Sequence, residues 1–490
     1  MQPRTVLRSV GWATVEAGTL VVLSFATLLF TARLLGPRDF GVAATTLAVI
    51  QLLNVLVEPL FGEVLVQRSD LSREHVDTAF WGALVMACVV IAACWIAARP
   101  MAAAYGLPEL AAILRVASLG LLFAAYNGVQ SAVLRRSFGF RELAMRSLGA
   151  RLAGASVGIG LALKGAGPWS LIAQYLLNNT LGAVALWYWS PHRLGGAPRR
   201  AALAELLRFV VPWLGSYLVV VWQPRIFLLA AGYLIGVREF AFLSVAFRVV
   251  ETLREVIGHV ASNVGLPYFA RAQGDPPLLA DRFIAATSIV CMIAMPAFAG
   301  LAVCADSAVS VVLGKAWLPA VPMVHVLAAG VTVLWAGIFS FAICTALARP
   351  SMNLPRAACE LAAMATVLCL LADRGPVFVA AAWAVRHLVS MLLGLRMCSR
   401  LLRLGVGRIV GAVAGPTLTA CAMAAMLSGV AQVLPASAPP LARLAVLMPT
   451  GVALIAAIGA WTYPHLRRSG TDRLRHAWSA VAARPTGAGD

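Results

Sequence analysis

Long apolar runs, each closed by a short polar link, dominate the chain. Fourteen can be drawn, at 10–31, 41–62, 78–98, 110–133, 145–164, 169–189, 208–232, 240–262, 283–305, 320–345, 356–373, 376–395, 409–433 and 442–463. Most are about 20 residues long, the length a helix needs to cross a hydrocarbon core of about 30 Å. The runs are continuously apolar rather than alternating, so in lipid they satisfy their backbones as helices and not as barrel strands. The pattern predicts an all-α polytopic membrane protein with about fourteen transmembrane helices. The first run leads straight into a second and reads as a retained helix, not a cleaved leader.

Composition sharpens this picture. Of 490 residues, 61% are hydrophobic and 12% charged, where a soluble domain carries about 25% charged residues. The balance is basic, 39 Lys and Arg against 20 Asp and Glu, and Lys164 and Lys315 are the only lysines. These charges sit in short links with no basic domain to hold a duplex, which excludes nucleic acid as partner. With the N-terminus placed in the cytoplasm, 25 of the basic residues fall on the cytoplasmic side and 8 opposite. That bias sets topology and predicts both termini cytoplasmic. The 9 cysteines form no Cys-x-x-Cys pair or Cys/His cluster. They read as small buried hydrophobes, and no metal or cofactor is expected.

The chain also matches itself. Leu28 to Phe40, containing Gly36, aligns with Leu228 to Phe240, containing Gly236, at an offset of 200. Leu107-Pro108 aligns with Leu318-Pro319, and Gly167-Pro168 with Gly375-Pro376, in corresponding links. An even unit of six helices enters the membrane the same way twice. The expected architecture is therefore two parallel six-helix repeats plus two C-terminal helices, with a binding space between the bundles. The corresponding divisions are 1–190, 200–400, 405–465 and a basic cytoplasmic tail at 466–490.

Ionisable residues within spans are costly, at about 2.5–3.5 kcal/mol or more, and face cavities or partners. Ser244, Arg248, Glu251, Glu255, His259 and Ser262 step along span eight at helical spacing. They form a stripe about 27 Å long within about 60° of arc. It reads as a cavity wall, or as an ion-pair ladder joining Arg248 to Glu251 and Glu255. Gln51, Asn54 and Glu58 share a face of span two. Asn178 and Asn179 correspond to Arg386 and His387, and Arg115 to His325. The candidate substrate-binding residues are Arg225, Arg248, Arg254 and Arg386, with Arg115, Arg151, Asn178 and Gln51. Arginine suits a phosphate-bearing substrate because its guanidinium binds phosphate bidentately. Glu58, Glu251 and Glu255 are candidates for proton or sodium coupling; their other reading is neutralisation of the arginines. Among these carboxylates, Glu16 and Glu360 complete the intramembrane set. Pro59, Pro212, Pro224 and Pro296 predict bends.

Several motifs resemble the polysaccharide transporter family of the multidrug/oligosaccharidyl-lipid/polysaccharide flippase superfamily. They are Arg33-Leu34-Leu35-Gly36-Pro37-Arg38-Asp39-Phe40-Gly41, Leu65 to Arg68, Val133 to Ala144, Gly165 to Gln174, Val312 to Trp317 and Ala346 to Pro350. The resemblance covers roughly 1–430. It implies a V-shaped pair of six-helix lobes, as in drug exporters of the superfamily, working by alternating access. It further implies a flippase of the Wzx type, carrying undecaprenyl-diphosphate-linked oligosaccharide across a bacterial inner membrane for exopolysaccharide, capsule or O-antigen. Membrane lipid, a polysaccharide polymerase and chain-length proteins are the partners it suggests, and the last two helices are expected to help hold the lipid tail. The chain departs from the family pattern late in span seven, near Arg225 to Phe227, where an acidic or amide residue is expected; here the stretch reads Gln223-Pro224-Arg225-Ile226-Phe227 and adds a positive charge.

The rival readings are a drug or cation antiporter of the same superfamily and a membrane polymerase or ligase. The arginine excess opposes the first. The second needs a long outer loop with catalytic groups, whereas the longest here is about 15 residues. The chain is read as a transporter and not an enzyme.

Overall fold

The computed structural model describes residues 3–68, 70–137, 139–190, 192, 195–270, 272, 274–347, 352–435 and 438–462. The basic tail at 466–490 lies outside the described residues, as do Arg349, Pro350 and the side chains of Glu16, Pro212 and Ser262. Among the described residues there is no strand, and the chain runs through fourteen helical columns. These are α1 (3–35), α2 (37–67), α3 (Arg73–Ala104), α4 (Pro108–Arg136), α5 (Phe140–Leu163), α6 (Trp169–Trp189) and α7 (200–235). They continue with α8 (Val237–Ala270), α9 (Pro276–Val312), α10 (Lys315–Ala346), α11 (Asn353–Leu371), α12 (Pro376–Leu402), α13 (Val406–Val433) and α14 (Pro440–Thr462).

Nine stretches among the described residues are long and apolar enough to cross a membrane. They comprise α1 with α2, then α3, α4 and α9 to α14.

The columns start and stop where local chemistry dictates. Gly36, between α1 and α2, adopts φ 72 and ψ 170. Gly236, between α7 and α8, adopts φ 79 and ψ 164. This region is open to glycine and strained for other residues, so the two halves turn on the same backbone device 200 positions apart. Gly106 and Gly314, after α3 and α9, also have positive φ, as do Gly167 and Gly375 before α6 and α12. The side chain of Asp275 caps α9 by accepting from the Leu278 N–H at 3.0 Å, ahead of prolines suited to a first turn.

Several columns are broken within the span. α2 is interrupted by a turn at 55–57 before Glu58-Pro59, and α7 at Trp222 before Gln223-Pro224. α4 breaks at Leu119, and α10 tightens to a 3₁₀ turn at Trp335–Gly337. Pro296, by contrast, sits inside the unbroken α9.

Two main cores form. One is built from α2 to α4 with Ile172 of α6 and the first half of α7, through Leu206 and Val210. The other is built from α8 to α12 with Phe227 and Ala231 of α7, and it takes in Ala32 and Phe40. α13 and α14 dock on α9 through a smaller cluster of Met423, Leu427 and Leu447. The ends of α2 and α8 meet backbone to backbone, since a Cβ on Gly41 would stand 2.4 Å from the Val237 carbonyl oxygen. The start of α7 is tied to the first core by Glu205, which pairs with Arg68 and, at 3.3 Å, with His75. The hydrogen bond from Arg68, then that from His75, holds the Glu205 carboxyl below its usual range.

Candidate functional site

Between the two helix sets lies a cavity of about 920 Å³. One wall comes from α1, α2, α5 and α6, the other from α7, α8, α10, α11 and α12. One end is shut by contacts between the sets. The Trp317 indole N–H donates to the Ala32 carbonyl at 3.1 Å, and its ring meets Phe40 edge-on at 5.3 Å. The Tyr105 hydroxyl donates to the Leu229 carbonyl at 2.9 Å. Each donor lies just beyond the third helix of its own set, and each acceptor near the end of the first helix of the other. The two contacts therefore follow the internal repeat.

Among the described residues, the cavity holds six arginines (Arg151, Arg225, Arg248, Arg254, Arg356, Arg386) and three glutamates (Glu251, Glu255, Glu360). Part of this charge is consumed within one wall. Glu251 is buried and pairs with Arg254, while its other oxygen accepts from the Trp383 indole N–H at 2.9 Å. Glu360 lies between Arg356 at 3.4 Å and Arg386 at 3.1 Å. Arg386 also donates to the Gln223 side-chain oxygen at 3.0 Å and stacks 3.9 Å from the centre of the Trp383 ring. Gln223 in turn donates to the Ala357 carbonyl at 3.0 Å. Burying ions this deeply is costly unless each is paired and hydrogen-bonded; each ion here has a partner, while Arg356 Nε, Arg386 Nε and one Glu360 oxygen are buried without a hydrogen bond among the described residues.

Arg248 and Glu255 stand apart. Both are exposed to the cavity, and neither has an ion-pair or hydrogen-bond partner among the described residues. A guanidinium with no partner, in a space that already carries more arginines than carboxylates, attracts an anion. Arg225 donates to the Val221 carbonyl at 2.7 Å, next to the α7 break.

The stripe on α8 faces the cavity through Ser244, Arg248, Glu251 and Glu255. The alternative reading, a ladder from Arg248 to Glu251 and Glu255, is not formed: Glu251 takes Arg254, one turn further on. Arg225, Arg386, Arg151, Asn178 and Gln51 all line the same space. Glu58 does not. The turn at 55–57 breaks the face it was expected to share with Gln51, and Glu58 instead accepts from Asn54 at 2.7 Å. Arg115 also lies off the cavity; its backbone carbonyl accepts from Trp95 at 3.2 Å, and its Nε is buried without a partner. Arg356 stands at the very edge of the apolar run drawn at 356–373 and is not among the candidates, but α11 begins at Asn353 and carries it inside. The spacing of Arg356 and Glu360, four residues apart, was the available signal. Gln174, one turn before Asn178 inside the run at 169–189, is also not among the candidates.

A family model described as "Polysaccharide biosynthesis protein" matches residues 30–322. The succinoglycan biosynthesis transport protein ExoT of Rhizobium meliloti (strain 1021) is 28% identical over 330 residues, covering 66% of this chain and 66% of that protein. The lipopolysaccharide biosynthesis protein WzxC of Escherichia coli (strain K12) is 22% identical, covering 64% of this chain and 65% of that protein. The chain thus spans about two thirds of the length of the curated relatives it matches. Among solved structures, the lipid II flippase MurJ in an inward closed conformation superposes with a TM-score of 0.75 at 10% identity, over 92% of this chain and 99% of that one.

Proposed function

The chain belongs to the polysaccharide biosynthesis protein family, and from that premise we propose that it flips a diphosphate-linked oligosaccharide across a bacterial inner membrane. The cargo is the undecaprenyl-diphosphate-linked repeat unit of a surface polysaccharide. The helix sets at 1–190 and 200–400 act as two lobes that rock about the cavity, and both termini lie in the cytoplasm. In that orientation the contacts at Trp317 and Tyr105 close the periplasmic end, and the cavity loads from the cytoplasm.

One observation carries this reading: Arg248 has no partner among the described residues, in a cavity whose described lining counts six arginines, Arg248 among them, against three glutamates. A diphosphate offers such guanidiniums bidentate, charge-assisted hydrogen bonds. An organic cation would meet repulsion there, which opposes the antiporter reading. A flippase of this kind needs no covalent chemistry, only differential binding on the two sides or an ion gradient. Of the candidate acids, Glu255, which has no partner among the described residues, is the one we assign to sense such a gradient.

Binding to the purified protein in lipid nanodiscs tests the assignment. Undecaprenyl diphosphate should bind, undecaprenol should bind at least tenfold more weakly, and an organic cation such as ethidium should not compete. Equal binding of the diphosphate and the alcohol, or displacement by ethidium, contradicts the assignment.

A further inference from the structure

The two walls of the cavity differ in kind. The wall from α7 to α12 carries five of the six arginines and all three glutamates. Among the described residues, the wall from α1 to α6 carries one charged residue, Arg151, which bonds to the Ser24 hydroxyl. In place of charge it presents three carboxamides, Gln51 on α2 and Gln174 and Asn178 on α6.

None of these three amides makes a side-chain hydrogen bond among the described residues, and the Gln174 side-chain oxygen is buried without a partner. The contrast with Gln223 on the opposite wall is direct, since both ends of that amide are engaged. A carboxamide brings two donors and an acceptor. Polar capacity left unspent inside a membrane protein is costly unless water or a ligand takes it up. Gln174 and Asn178 lie one helical turn apart on the same face of α6, and Gln51 lines the same space from α2.

Uncharged groups that both donate and accept match hydroxyls, which do the same. Phosphate oxygens only accept, and the guanidiniums of the other wall draw them. A ligand carrying both chemistries is thereby oriented across the cavity. We propose that Gln51, Gln174 and Asn178 form a saccharide subsite, which binds the hydroxyls of the sugar next to the diphosphate. This rests on the reading of the cargo as a diphosphate-linked saccharide. The cavity then recognises its cargo in two halves: charge on α7 to α12 holds the part common to every lipid-linked unit, and amides on α1 to α6 read the part that differs.

The test compares two classes of probe on the protein in nanodiscs. One is undecaprenyl diphosphate. The other is undecaprenyl diphosphate bearing a single glucose, galactose or N-acetylglucosamine. At least one sugar-bearing probe should bind the wild type about tenfold more tightly than the sugar-free lipid. Gln51→Leu, Gln174→Leu and Asn178→Leu should each lose about three- to tenfold of that advantage, the worth of one or two hydrogen bonds. Affinity for the sugar-free lipid should stay within about twofold, which also reports that each variant folds. If no sugar improves binding to the wild type, or the substitutions weaken both classes alike, the subsite is wrong while the diphosphate reading stands. If neither class binds the wild type, both readings fall.

Discussion

The indole N–H of Trp317 donates to the backbone carbonyl of Ala32 at 3.1 Å, joining the start of α10 to the end of α1. With its repeat-related partner, Tyr105 to Leu229 at 2.9 Å, and the bond from Arg33 to the Val311 carbonyl, it forms the polar fastening at the shut end of the cavity. Each such bond contributes about 1 kcal/mol net, so losing the Trp317 and Tyr105 bonds should shift the closed-to-open ratio by roughly tenfold or more. In Trp317→Phe/Tyr105→Phe, spin labels at Leu34 and Leu318, in a background without the native cysteines, should show a second, longer distance by pulsed electron resonance. A distribution identical to that of the unaltered gate would show that these bonds do not hold it.

The Glu360 carboxylate serves two arginines at once. Glu360→Gln leaves Arg356 and Arg386 facing each other with no negative charge between them. Breaking a buried pair in this way costs about 3–5 kcal/mol, so thermal unfolding in detergent should fall by several degrees. Adding Arg386→Gln should recover part of the loss by removing one stranded charge. Additive losses in the double variant would mean that the pair is not coupled.

Glu251 and Glu255 separate structure from energy coupling. Glu251 is held by Arg254 and Trp383, so Glu251→Gln should lower thermal stability. Glu255 has no partner among the described residues, so Glu255→Gln should leave stability unchanged. Its expected effect is on the response to a proton or sodium gradient in proteoliposomes, because the amide cannot release a proton. Gradient-dependent transport at the wild-type level in a stable Glu255→Gln protein would remove this residue from the coupling mechanism.

The start of α7 should loosen in acid. The Glu205 carboxyl is held below its usual value of 4.5, first by Arg68 and then by His75. A depressed carboxylate pKa stabilises the fold at neutral pH, and that contribution is lost as pH falls through the folded-state value. The tie should therefore persist from about pH 7 to about pH 5 and fail only below the ordinary carboxylate range. Hydrogen exchange across 200–208 should accelerate there, and Glu205→Gln should exchange fast at every pH. Acid-insensitive exchange in the wild type would contradict this account.

The fourteen columns were legible because a membrane demands long apolar runs and leaves few alternatives. The Gly36 and Gly236 turns were legible as a repeat because only glycine holds that backbone without strain. The interior breaks were not. Helical spacing says which residues share a face, but a turn such as that at 55–57 cancels the rule, and with it went Glu58. Arg356 was hidden by its nearness to a link, since one turn of helix decides between solvent and cavity. The pairing of Glu251 with Arg254 rather than Arg248 depended on where Trp383 packs, a contact between distant segments that no local pattern encodes.

The central claim is that this cavity moves an anionic lipid-linked saccharide, with Arg248 meeting its phosphates. The most direct measurement is the rate at which undecaprenyl-diphosphate-linked glycan becomes accessible to a membrane-impermeant glycosidase outside proteoliposomes loaded from within. Wild-type protein should raise that rate well above protein-free vesicles. Arg248→Ala should reduce it at least tenfold at equal thermal stability, and Arg248→Lys should restore part of it. A wild-type rate no faster than empty vesicles, or an Arg248→Ala rate equal to wild type, would contradict the account.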